Sequence, residues 1–115
     1  MNSPLVIGYR HTGIIVKNME ESLNFYRNIL GFELIQDFEE SGHYISTITG
    51  LNDATAHFYK LRAEDGTIIE LLEYPSHPTK PFDLPIINVG ICHIALRVNN
   101  SKEALREVAL DINEG

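Results

Sequence analysis

The sequence predicts an α+β fold made from a β-α-β-β-β unit that begins a second time before the chain ends. Three observations predict it. A strand-like run leads directly into a capped helix, three further strand-like runs follow with turn signals between them, and the opening strand-helix pair recurs 82 residues later. The chain is read as a first module over residues 1–74, a proline-rich linker over 75–90, and the start of a second module over 91–115.

Residues 11–16 are mostly β-branched or small and are flanked by Arg10 and Lys17, which predicts a strand open to burial on both faces. Asn18 then stands as an N-cap with Glu21 three residues on. Leu23, Tyr26, Ile29 and Leu30 keep helical spacing, and Gly31 supplies the stop. Residues 32–38 alternate apolar and polar and read as a second strand, ending in a solvated turn at Glu39, Glu40, Ser41 and Gly42. Residues 44–49 are read as an extension of that strand or a short strand of their own. Residues 55–61 give a third strand, Asp65 and Gly66 a hairpin turn, and residues 67–74 a fourth strand. Pro75, Pro78, Pro81 and Pro85 rule out a central strand or helix in the segment that follows. Residues 92–98 are strand-like again, and residues 101–110 are helical again, with Asn100 and Glu103 in capping spacing.

Placing His11 on His93 aligns the two units. His11/His93, Val16/Val98, Asn18/Asn100, Glu21/Glu103 and Leu23/Leu105 are identical, five of the sixteen pairs in the stretch that starts at His11 and ends at Tyr26, where average residue usage would give roughly one. Each unit of such a repeat presents an apolar face that its sister must cover. A second module reduced to one strand and one helix is poorly suited to that, so the natural protein is expected to run some tens of residues further.

Composition narrows the function classes. A formal charge of −7, with nine basic residues scattered singly, excludes a phosphate-tracking nucleic-acid surface. The apolar run at residues 5–8 is too short for a signal sequence or a membrane span. Cys92, the single cysteine, excludes an internal disulfide framework, so the expected setting is the cytoplasm. At this length the core is marginal, and a homodimer is the expected assembly.

The residues that could carry chemistry are His11, Glu70 and His93. By the repeat, the two histidines hold equivalent places on equivalent first strands, and a pseudo-two-fold axis between the units would turn them toward each other. Glu70 shares one strand face with Ile68, Leu72 and Tyr74. A carboxylate between apolar neighbours costs several kcal/mol if buried alone, so it calls for a cation or a strong donor. Two imidazoles with a carboxylate suit divalent Fe, Mn, Ni, Co or Zn, without choosing among them.

Four segments carry a family resemblance: His11-Thr12-Gly13-Ile14-Ile15-Val16; Phe25-Tyr26 with Leu30-Gly31-Phe32; Ile69-Glu70-Leu71-Leu72-Glu73-Tyr74; and His93-Ile94-Ala95-Leu96. In this order the chain resembles the vicinal oxygen chelate superfamily of glyoxalases, bleomycin-resistance proteins and extradiol dioxygenases. The resemblance implies paired βαβββ modules forming a cupped mixed sheet. It also implies a metal held by one residue from each first strand and one from each fourth strand, here His11, Glu70, His93 and a fourth ligand that would fall near position 152. It further implies a small-molecule substrate that chelates through two adjacent oxygens, and, as in glyoxalase-like members, a metal-bound glutamate that also moves the proton, here Glu70.

The implied activity is a metal-dependent lyase or isomerase abstracting a proton next to a carbonyl. The alternatives are an extradiol-type dioxygenase and a non-catalytic ligand-sequestering protein of the bleomycin-resistance type. Glutamate at position 70 favours a glyoxalase over an epimerase, which usually carries glutamine there. Bacterial glutathione-dependent members place an arginine four residues after the first ligand, and this chain has Ile15.

Plainer readings stand beside these. A lone strand histidine is more often a hydrogen-bonded core residue than a ligand, and it is the shared register with Glu70 that shifts the balance. Glu70 could simply pair with Lys60 or Arg62 across the hairpin. His43 lies outside the repeat register, His57 reads first as a cross-strand residue, His77 as solvated, Cys92 as a small core residue, and Phe25 and Tyr26 as helix packing.

Overall fold

A computed structural model describes residues 3–80, 87–90 and 93–114. The chain forms two compact units, Met1–Thr79 and Lys80–Gly115.

The first unit is a four-stranded mixed sheet in the order β1-β4-β3-β2, with β1 at Thr12–Ile15, β2 at Glu33–Ser41, β3 at Thr55–Arg62 and β4 at Ile68–Glu73. β1 runs parallel to β4, and the other two pairings are antiparallel. The parallel pairing requires a crossover, and α1 (Met19–Leu23) supplies its first turns. Asn18 caps α1 through its Oδ1, which accepts from Glu21 N at 3.1 Å. The helix then widens into a π-helical segment, Asn24–Ile29, where Leu30 N donates to Phe25 O and Phe32 N to Tyr26 O. Gly31, at φ 85°, turns the chain into β2.

Two cores lie on opposite faces of the sheet. On the helix side, Val16, Met19, Phe32, Leu61, Ile69 and Leu71 are buried, with Leu23, Tyr26, Leu30 and Leu34 packed against them. On the other side, Ile45, Ala54, Ala56 and Phe58 are buried beside Phe38, Leu51, Leu72 and Tyr74. A bulge between Leu34 and Gln36 makes this division possible. Strict alternation from Phe32 would put Phe38 on the helix side, whereas the extra residue moves it to the far face, where its ring stacks on Phe58 at 4.8 Å.

Several sequence expectations are corrected. Residues 44–49 belong to a helix, α2 (His43–Thr49), and not to a strand. Gly42 (φ 102°) and Gly50 (φ 75°) bracket it, and the Thr47 and Thr49 hydroxyls donate to the carbonyls four residues back. Burial of Ile45 over the second core overrides local strand preference. Glu39, Glu40 and Ser41 pair with His57, Ala56 and Thr55 as strand residues, so only Gly42 remains of the expected turn. β1 is covered on one face only: Ile15 on the other is 61% exposed. His77 is half-buried, and its Nδ1 lies 2.8 Å from Ser76 Oγ at an exposed position.

In the second unit, α3 (Ser101–Glu114) follows its predicted cap, and Asn100 Oδ1 accepts from Glu103 N at 3.1 Å. Residues 93–98 are not a strand; their side chains are exposed, and among the described residues of this unit no strand pairs with them. Cys92 lies outside the described residues. Among the described residues no helix is long and apolar enough to cross a membrane.

Candidate functional site

Glu70 lies in the middle of β4, flanked by the buried Ile69 and Leu71 that point into the helix-side core. Period-two alternation turns Glu70 to the other face, yet it remains only 7% exposed. The parallel register sets it opposite Gly13 of β1, and the hairpin register sets it opposite Lys60 of β3. Gly13 itself has a close neighbour in β4. A Cβ at that position would stand 3.1 Å from Leu72 Cδ1, tighter than ordinary van der Waals contact.

Two cations or potential cations approach the carboxylate. His11, immediately before β1, brings Nε2 to 3.8 Å from Oε1. Lys60 brings Nζ to 3.9 Å from Oε2 and 6.0 Å above the Phe38 ring. Neither Glu70 oxygen makes a hydrogen bond among the described residues, so this buried carboxylate is balanced by charge at a distance and not by close donors. The plain reading of a cross-strand pair is therefore present with Lys60. Arg62 pairs with Glu33 instead, at 3.2 Å.

The structure thus brings together two of the three residues expected from sequence. His93 belongs to the second unit, where it opens the exposed run 93–98. Among the described residues no group of three or more His, Cys, Asp or Glu side chains is placed to hold one metal ion. Sequence reasoning does not single out Lys60 or Gly13 as site residues. A glycine among β-branched residues in a strand is the available signal for the second; for the first it is counting back across the Asp65–Gly66 turn.

The remaining histidines serve elsewhere. His57 lies on the helix-side face, its Nε2 at 2.8 Å from Asp37 Oδ1, its Nδ1 at 3.6 Å from Glu73 Oε1 and its ring 4.4 Å from that of Tyr59. Burial, reinforced by Asp37, Glu73 and Glu39, pushes the Tyr59 hydroxyl above its usual pKa. Ser76 Oγ accepts from Thr55 N at 2.8 Å and ties the start of the proline segment to β3. A hollow lined by Ser41, His43, Ser46, Asn52 and Asp53 includes none of the Glu70 cluster.

A βαβββ unit with a histidine at the head of its first strand and a buried glutamate opposite on its fourth defines the class, and comparison with known proteins gives the family. The glyoxalase/bleomycin resistance protein/dioxygenase superfamily model matches residues 8–110, and the chain belongs to that superfamily. It is 33% identical over 100 residues to the lactoylglutathione lyases of Neisseria meningitidis serogroups A and B, a match covering 85% of this chain. The chain spans 62% of the length of those relatives. The crystal structure of a glyoxalase family protein from Bacillus cereus superposes with a TM-score of 0.83 at 18% identity, covering 96% of this chain and 75% of that one. The glyoxalase-like fold expected from sequence is therefore observed.

Proposed function

We propose that the chain forms part of a metal-dependent lyase or isomerase that removes a proton next to a carbonyl of a small substrate, with the metal held by His11, Glu70 and His93. The observation that carries this reading is the pairing of a buried Glu70 carboxylate, without a hydrogen bond among the described residues, with the His11 imidazole, 3.8 Å apart on one sheet face. His11 and Glu70 are the residues of the first unit that would hold such an ion, through one imidazole nitrogen and one carboxylate oxygen. The donor types fit such an ion as well. The lactoylglutathione lyase relatives support the reaction class.

When bound, the ion supplies Lewis-acid chemistry to two adjacent substrate oxygens. The chain's own residues do the rest. Glu70 would accept the proton as the C–H bond breaks and its electron pair moves toward the carbonyl oxygen, with Lys60 Nζ 3.9 Å from its Oε2. Ile15, exposed on the same face, offers methyl groups where glutathione-dependent members carry a guanidinium, so the substrate in this reading is not a glutathione adduct.

Elemental analysis of chain purified without chelator or affinity metal tests the proposal, beside Glu70→Ala and His11→Ala variants. About one divalent metal per chain, lost in both variants, is the expected result. Full metal content in either variant overturns the ligand assignment, and no metal in the unaltered chain overturns the enzyme reading.

A further inference from the structure

The Lys60 ammonium is placed for more than the neutralisation of Glu70. It stands 3.9 Å from Oε2, outside hydrogen-bond reach, and among the described residues it donates no hydrogen bond. Its side chain is 21% exposed, and its Nζ stands 6.0 Å from the centre of the Phe38 ring, itself stacked on Phe58. Among the described residues its three N–H donors remain for a partner on the open face of the sheet.

The balance of charge then points to that partner. Glu70 and Lys60 together are neutral, with His11 as an uncharged ligand. A divalent ion on His11 and Glu70 would leave the local charge at +2, with the carboxylate's charge committed to the ion and the ammonium uncompensated. We infer that Lys60 is a specificity-determining residue that takes an anionic oxygen of the substrate, so that the substrate class is a small oxo or hydroxy acid whose carboxylate sits beside the chelating oxygens. This rests on the functional reading above.

The placement is built in at several levels. The hairpin register puts residue 60, and not 62, opposite Glu70. Arg62 is engaged with Glu33 and supplies no charge here. The chain as a whole carries a net charge of −7, so an anion is repelled from most of its surface and finds attraction only where a local cation is uncovered. Ile15, exposed, and Leu72, partly buried, add apolar surface to the same face.

The test separates this inference from the metal reading. In the metal-free Glu70→Gln variant, Lys60 loses its carboxylate partner while the shape of the site is kept. Oxalate is then the anionic probe and oxamide its neutral counterpart, each titrated by calorimetry into whole-chain Glu70→Gln and Glu70→Gln/Lys60→Met. Oxalate binding to the first, with no binding of oxamide, is the expected result, and it should weaken roughly tenfold or more in the second. A Glu70→Gln/Lys60→Gln variant, folded by circular dichroism, serves if the methionine variant does not fold. Equal oxalate binding with and without Lys60, or none to Glu70→Gln, overturns the inference. A parallel titration of the unaltered chain with Co(II) reports on the metal: absence of uptake would sink the lyase reading, while the oxalate result would still decide the role of Lys60.

Discussion

The two units begin with the same sequence device and do different things with it. In the first, Asn18 accepts from Glu21 N at 3.1 Å and a helix follows; in the second, Asn100 accepts from Glu103 N at the same distance and a helix follows. The residues before the caps part company. Residues 12–15 are a strand, ordered by parallel pairing with β4 and by the Val16 N to Leu72 O bond of 2.9 Å. Residues 93–98, equally strand-like in composition, stay outside any strand and exposed. A helix start is satisfied within four residues of chain, whereas a strand leaves half its hydrogen bonds to be met by a neighbour. Composition specifies the first nearly alone and the second only when the neighbour is present.

The largest expected effect comes from the core that the first unit has built. Leu71→Ala removes a fully buried side chain and should cost about 2–5 kcal/mol, while Leu105→Ala on α3, where that side chain is 73% exposed, should change stability by less than about 0.5 kcal/mol. Urea unfolding of both variants measures the contrast, and equal losses would show that α3 is packed as tightly as β4.

Capping gives a sharper comparison of smaller size. Asn18→Ala should lower global stability by about 1 kcal/mol, because α1 is docked on the core and its fraying exposes Met19. Asn100→Ala removes the same bond but should be read out in amide exchange of the first turn of α3, with little change in the unfolding midpoint. A midpoint shift of equal size in both variants would remove the distinction between the two helix starts.

The smallest effect concerns Tyr26, whose hydroxyl is pushed above its ordinary pKa of 10.0 by burial on the helix-side core. Its stabilising contribution is complete below the unfolded-state value and declines as pH rises past about 10, since the unfolded chain releases that proton first. Tyr26→Phe should flatten this alkaline loss in thermal melts without altering the melt at pH 7. An unchanged alkaline slope would show that Tyr26 ionises as freely folded as unfolded.

Much of the site is legible in the amino-acid sequence. Glu70 stands out because a carboxylate between Ile69 and Leu71 in a strand demands a partner, and His11 because it recurs in register at His93. The approach of His11 to Glu70 needs only two strands and one crossover, all within the first unit. The Phe38–Phe58 stack is not legible, because a one-residue bulge reverses the facing of everything after it and no local signal marks where it falls. Nor is α2, whose β-branched sequence favours a strand until Ile45 finds a core to enter.

By itself, then, the sequence determined what short-range physics can carry: both helix caps, the Asp65–Gly66 hairpin turn, and the repeat that sets His11 in register with His93. Only the tertiary structure decided which strand-like runs became strands, which face of the sheet took each aromatic residue, and which cation came to rest beside Glu70. Those outcomes depend on partners distant in sequence, and the free energy of pairing and burial that selects them does not exist until the partners meet.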